Sequence, residues 1–132
     1  MFDNPTAQYI VNMQYGVLDA LAGTGFELVV HPCDSKSAGH IDGVRRFVTQ
    51  QKLYGVILIP RVSEDQALAD MLTEVGCRYV RIASIRLDEP GRMLQTHDRL
   101  AGAEVANYLA SLGHRQIGLI SGPKRYRSAI DL

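Results

Sequence analysis

The segment around His31 carries side-chain types that bind transition metals. Cys33 and Asp34 follow closely, and His40 comes a little further on. Because alternate residues of a strand share a face, the His31 imidazole and the Cys33 thiolate could reach one ion. A third and a fourth ligand would have to come from elsewhere, and the segment lies between a strand end and a helix start. We therefore expect Cys33 to pack, Asp34 to cap a helix, and no metal to bind here.

No group of residues has the spacing of a catalytic site. His97 and Asp98 are an acid–base pair by type, but sequence neighbours do not readily point at each other and no nucleophile accompanies them. Gly23 and Gly25 follow a helix and precede a strand, the reverse of the order in a dinucleotide-binding loop. Walker and nucleophile-elbow motifs are absent from the sequence. We expect no enzymatic activity and no cofactor.

The composition is that of an ordinary globular domain. The chain has 132 residues, of which 46% are hydrophobic and 21% charged, and its formal net charge is zero. This balance gives no general attraction to phosphate or anionic lipid. The sequence shows no signal peptide and no apolar run of membrane-spanning length, and Cys33 and Cys77 lie far apart. We expect reduced thiols in a cytoplasmic protein.

Helical and strand-like patterns alternate, which predicts an α/β fold with parallel strands and crossover helices. The predicted helices cover residues 6–22, a segment carrying Val44 and Val48, a segment from the capping box of Ser63 and Gln66 to Gly76, and residues 99–112. The predicted strands cover residues 26–30, 55–60, 78–83 and 117–121. The apolar run at 55–60 suits a strand in the middle of the sheet, covered on both faces.

A series of motifs then occurs in a fixed order and spans nearly the whole chain. The motifs are Asp3-Asn4-Pro5, Val30-His31-Pro32-Cys33-Asp34, Gly55-Val56-Ile57-Leu58, Asp98-x-x-x-Gly102 and Leu112-Gly113-His114-Arg115-Gln116-Ile117-Gly118. In this order they resemble the sensor domain of the lactose-repressor (LacI/GalR) family of bacterial transcription regulators. That domain shares its fold with periplasmic sugar-binding proteins.

The resemblance implies a parallel-sheet, flavodoxin-like half of a type I periplasmic binding protein, with the start of a second, similar subdomain. Residues 1–96 would form the N-terminal effector-binding subdomain, and residues 97–132 the crossover and first helix and strand of the second. Family members place a strand directly before Asp-Asn-Pro, mid-sheet in the order 2-1-3-4-5, and only Met1 and Phe2 remain of it here. The helix-turn-helix headpiece is also missing, so we expect a longer protein.

The ligand of such an open parallel sheet lies outside the carboxyl ends of its strands. We expect Asp98 and Asn4 to accept hydrogen bonds from sugar hydroxyls and the Tyr9 ring to cover the sugar, with helix capping as the alternative role of both acceptors. The candidate effector-binding residues are Asp3, Asn4, Thr6, Tyr9, Pro60, Arg61, Ser84 and Asp98.

The implied function is therefore sensing rather than catalysis. A sugar-like effector would close two subdomains and change operator binding by a headpiece outside this sequence, in a homodimer that does not contact a membrane. The expected dimer surface contains Val11, Tyr15, Leu18 and Val29. The alternative is a periplasmic sugar-binding protein of a transport system. A secretion signal upstream would favour transport, and a helix-turn-helix would favour regulation.

Overall fold

The computed structural model describes residues 8–34, 37–83 and 85–124 and has a mixed α/β fold. Within these residues the helices are α1 (Gln8–Leu21), α2 (His40–Gln51), α3 (Gln66–Glu74) and α4 (Asp98–Ser111). The strands are β1 (Gly55–Leu58), β2 (Arg78–Ala83) and β3 (Met93–Gln95). The predicted strand at 78–83 is confirmed residue for residue.

The described strands form one parallel sheet in the order β1-β2-β3. Gly55 is opposite Arg78 in the first pair, and Arg81 is opposite Met93 in the second. Since all three strands run the same way, their carboxyl ends lie at one edge of the sheet. The loops that follow them are thereby neighbours.

The side chains of β1 alternate between two apolar clusters. Leu58 packs with Val44 of α2 and with Leu68 and Leu72 of α3. Ile57 of β1 packs on the other face, against a cluster formed by Ile59, Ile10 of α1 and Ile82 of β2. The expected cover on both faces is confirmed. Each fully buried leucine contributes about 1.5–3 kcal/mol of transfer free energy.

Glycine ends α3 as predicted. Gly76 has a φ of 67°, a left-handed conformation that glycine adopts without a steric penalty. Its N–H donates to the Thr73 carbonyl, and the Cys77 N–H donates to the Leu72 carbonyl at 2.9 Å. This pair of bonds is a Schellman motif, which satisfies the last carbonyl groups of the helix.

The predicted helix starts are less accurate. The N-cap of α3 is Asp65, whose side chain accepts a hydrogen bond from the Leu68 N–H, and Ser63 lies in a separate 3-10 turn, Val62–Glu64. The N-cap of α2 is Gly39, which makes no side-chain cap, so the predicted capping by Asp34 is wrong. In both cases an extra turn moves the helix start past the predicted cap.

Two predicted strands are not formed within the described residues. Residues 26–30 and 117–121 have no strand pairing, and β1 consequently lies at the edge of the described sheet, not in its middle. Ile120 is 99% exposed, so its side chain has almost no packing within the described residues. Conversely, β3 forms in a stretch without a strand pattern, because pairing with β2 stabilises it.

The packing of α4 also differs from expectation. The spacing of Gly102, Ala106, Leu109 and Leu112 predicts a helix face that packs on the sheet, but α4 has no buried residue and Leu109 alone of these four is half-buried. Leu100 is 60% exposed on the same helix. The helix therefore gains little stability from packing within the described residues.

Candidate functional site

The carboxyl edge of the sheet gathers several of the candidate effector-binding residues. Pro60 and Arg61 follow β1, and Asp98 comes shortly after β3. The ladder extends to this edge, since the Thr96 N–H donates to the Ala83 carbonyl at 3.0 Å. The other candidates, Asp3, Asn4, Thr6 and Ser84, lie outside the described residues.

Arg61 has a strained backbone at this edge. Its φ of 77° and ψ of −56° are those of a γ-turn with positive φ, a rare conformation for a residue with a side chain. Such a conformation costs about 1–3 kcal/mol and clusters at ligand-binding sites. Arg61 is exposed at the edge where the ligand of an open parallel sheet is expected.

Tyr9 and Asp98 lie near each other at the amino-terminal ends of α1 and α4. Partial burial raises the pKa of the Tyr9 hydroxyl, and the negative charge of Asp98 raises it further. The structure thus brings together an aromatic ring and a carboxylate that are remote in sequence. Both side chains are exposed enough to meet a ligand.

Asp98 is not the N-cap of α4. The N-cap residue is His97, whose side chain makes no cap hydrogen bond, and Asp98 is the first residue of the helix. The predicted capping role is therefore wrong by one position. The carboxylate still interacts favourably with the positive end of the helix dipole.

Beneath this edge lies a buried cation that the sequence did not reveal. Arg81 is 0% exposed, and its guanidinium donates to the Gln66 side-chain oxygen, to the Leu87 carbonyl at 2.9 Å and to the Asp65 carbonyl at 3.2 Å. These bonds tie the start of α3 to the loop after β2. Arg81, Ile82 and Ala83 are all buried in β2, so strand alternation does not single out position 81, and its acceptors come from loops that no sequence pattern predicts.

The loop after β2 is held by a second polar group centred on Asp88. The Tyr79 hydroxyl donates to its carboxylate at 2.8 Å, and Arg92 donates to the Tyr79 oxygen. Burial raises the pKa of Asp88, but the Glu89 N–H, the Tyr79 hydroxyl and the charges of Arg81 and Arg92 outweigh it. The net pKa lies below its usual value, so the carboxylate stays ionised to more acidic pH.

The side chains first considered as metal ligands make other contacts in the structure. His31 stacks on Phe47 with ring centroids 4.0 Å apart, and Cys33 packs in the core as predicted. His40 bonds to Asp65 at 2.8 Å. In residues 8–34, 37–83 and 85–124, no group of three or more His, Cys, Asp or Glu side chains could hold a metal ion.

An apolar groove of about 470 Å³ separates residues 26–29 from β1. Val17 and Leu21 of α1 line it from one side, and Val56 lies on the β1 wall. At one end, the Phe26 and Tyr54 rings are 4.9 Å apart, and the Arg78 guanidinium lies 4.8 Å from the centre of the Tyr54 ring. The groove lies away from the carboxyl-edge loops. Because it lies between residues 26–29 and β1, these two segments do not pair as strands.

The expected dimer residues are mostly at the surface. Tyr15, Leu18 and Val29 are 65%, 49% and 52% exposed, whereas Val11 is half-buried. Large apolar side chains at this exposure leave part of their surface available for a partner.

None of the helices in the described part of the chain is both long and apolar enough to cross a lipid bilayer. Comparison of the chain with protein-family models, with curated proteins and with solved structures found no match.

Proposed function

We propose that this chain is the effector-binding region of a cytoplasmic transcription regulator similar to the lactose-repressor family. A small sugar-like ligand binds at the carboxyl edge of the sheet and closes two subdomains, and a headpiece outside this sequence binds operator DNA. The region itself performs no catalysis. The observation that carries the proposal is that the Asp98 charge acts on the Tyr9 hydroxyl, while Arg61 and Asp98 both follow strands that end at this edge.

The three side chains supply the interactions that a sugar requires. The Asp98 carboxylate accepts bonds from adjacent hydroxyls, and the Arg61 guanidinium donates to ring or hydroxyl oxygens. The Tyr9 ring offers an apolar face to the C–H groups of the sugar. Open parallel sheets bind their ligands at this edge, which favours a ligand here over one elsewhere on the surface.

The apolar groove supports the finer description of the fold. In the strand order 2-1-3-4-5, a strand leading into Asp3-Asn4-Pro5 runs between the segment at 26–30 and the strand at 55–58. The groove separates the same two segments. A strand in that position would pair with both walls and give residues 26–30 their missing partner, so β1 would become an interior strand.

The exposed apolar side chains after residue 97 support a second subdomain. Leu100, Tyr108 and Leu119 are 60%, 64% and 75% exposed. A second subdomain that covered these side chains would remove their apolar surface from water. We assign residues 97–132 to the crossover and the start of that subdomain, and we assign a homodimer contact to the surface of α1 that carries Tyr15 and Leu18.

Calorimetric titration of the complete regulator with pentoses, hexoses and their phosphates tests the proposal. At least one should bind, and Asp98→Asn or Arg61→Ala should weaken binding about 10-fold or more, since each loses a charged hydrogen bond of about 1.5–3 kcal/mol. Asp19→Asn and Arg46→Ala are matched controls on exposed positions of α1 and α2. Equal weakening by the controls, or no binding of any sugar, would contradict the proposal.

A further inference from the structure

Both ring nitrogens of His40 face oxygen atoms that can only accept hydrogen bonds. Nδ1 lies 3.1 Å from the Ser37 carbonyl oxygen, and Nε2 lies 2.8 Å from Oδ2 of the Asp65 carboxylate. A neutral imidazole carries one N–H, so one of the two contacts would set a lone pair against an oxygen. Only the doubly protonated imidazolium donates to both.

We propose that His40 is a proton-dependent clasp that joins the amino-terminal ends of α2 and α3, and that loss of its proton opens one side of the clasp. Its acceptor is well fixed. Oδ1 of Asp65 accepts the Leu68 N–H at 3.1 Å, and the Asp65 carbonyl accepts from Arg81 at 3.2 Å. The clasp therefore connects α2 to the buried polar group beneath the sheet edge.

The charged groups around the ring favour the proton. Asp65 at the N-cap of α3 and Asp34 in the segment before α2 both act on His40 with negative charge. Asp42 lies in the first turn of the same helix. The positive end of the α2 dipole opposes protonation, because His40 is the first residue of that helix. The His40 and Asp65 side chains are 18% and 21% exposed, so solvent screens their attraction only in part.

The balance of these effects raises the pKa of His40 above its ordinary value. The hydrogen bond that His40 donates to the Asp65 carboxylate is the largest cause of the raised pKa, and partial burial opposes it. The Ser37 carbonyl and the charges of Asp65 and Asp34 raise the pKa further. A raised pKa in the folded state gives stability that is fully present below about pH 6.5, the pKa of an unfolded histidine. That stability is lost as the pH rises through the folded-state pKa.

Opening the clasp has a local consequence. Asp65 is both the N-cap of α3 and the residue that ends the turn Val62–Glu64, which directly follows Arg61. Deprotonation of His40 removes the positive charge that attracts the Asp65 carboxylate, so it weakens a restraint on this junction while the Leu68 cap bond stays. We expect the protection factors of the amides of residues 62–68, which are corrected for the intrinsic rise of exchange with pH, to be lower above the His40 pKa than below it.

Nitrogen-15 NMR of the histidine rings during a pH titration of the whole chain tests the clasp. His40 should show protons on both ring nitrogens at pH 6 and should titrate above the value of an unfolded histidine. Asp65→Asn keeps a good helix cap but removes the charge, so it should lower the His40 midpoint. Asp34→Asn should lower it less, and Asp70→Asn, on the same helix as a matched control, should leave it unchanged.

A His40 midpoint at or below that of an unfolded histidine would overturn the proposal, as would a midpoint that Asp65→Asn does not move. Urea unfolding gives a second readout. The midpoint concentration should fall between pH 6 and pH 8 in the unmodified chain by more than in His40→Gln. Equal falls in the two proteins would also overturn it.

Discussion

The Nη2 atom of the buried Arg81 donates to the main-chain oxygen of Asp65 at 3.2 Å, across a separation of sixteen residues. The same guanidinium reaches the Leu87 carbonyl at 2.9 Å and approaches the Asp88 carboxylate to 3.9 Å. One side chain on β2 thereby fixes both the start of α3 and the loop that leads to β3. The candidate site at the carboxyl edge rests on this arrangement.

Replacement of Arg81 by alanine should destabilise the fold by about 3–5 kcal/mol, because it leaves buried acceptors without a donor and opens a cavity. Arg81→Met should cost less, since methionine fills most of the volume. The exposed Arg86→Ala is the control and should stay within about 0.5 kcal/mol. Urea unfolding followed by circular dichroism measures all three. A similar loss for Arg81 and Arg86 would contradict the buried role.

Two leucines with opposite burial test the described packing. Leu72 is 0% exposed, and Leu72→Ala should cost about 2–5 kcal/mol. Leu100 is 60% exposed, and Leu100→Ala should change the stability of this chain by no more than about 0.5 kcal/mol. In a longer chain that covers α4, the stability loss caused by Leu100→Ala should rise toward that caused by Leu72→Ala. Thermal or urea unfolding of both lengths makes the comparison.

Two glycines should respond to alanine with opposite signs. Gly76 has a φ of 67° with nothing within 4 Å of an added Cβ, so the effect of Gly76→Ala is strain alone, a loss of about 1–2 kcal/mol. Gly102 lies inside α4 with the same open space but no positive φ, so Gly102→Ala should stabilise by about 0.5–1 kcal/mol. Melting temperatures that move in the same direction would contradict these assignments.

Asp88 should make the fold sensitive to acid. Its pKa is lowered in the folded state, so its contribution is present above the unfolded value of about 3.9 and is lost as the pH falls through the folded value. Tyr79→Phe removes one hydrogen bond to this carboxylate, worth about 0.5–1.5 kcal/mol at neutral pH. Urea unfolding measures the difference in unfolding free energy between Tyr79→Phe and the unmodified protein, and this difference should shrink from pH 7 to pH 3. A constant difference would show that the bond does not depend on ionisation.

Local signals in the sequence predicted part of the fold. Gly76 and Gly113 end helices because left-handed φ values suit glycine. The apolar and β-branched residues of β2 were enough to predict that strand. Residues 26–30 carry the same kind of pattern but form no strand, because a strand also needs a neighbour with which to pair. The short β3 is the converse case, since its pairing with β2 comes from the tertiary structure.

The candidate site was predictable to a similar degree. The rule that ligands lie at strand carboxyl ends led directly to Arg61 and Asp98. The strain at Arg61, the bonds of Arg81 and the clasp of His40 depend on backbone angles and on partners distant in sequence. No spacing of residue types encodes those relationships.

Residue-resolved NMR during a sugar titration is the most direct test of the central claim that the effector lies at the carboxyl edge of the sheet. For a sugar that binds in the calorimetric panel, the largest amide shifts should fall at Tyr9, at residues 60–63 and at residues 96–99. Residues lining the apolar groove, such as Val17 and Tyr54, should shift little. The largest shifts at the groove, with the carboxyl edge unchanged, would contradict the account.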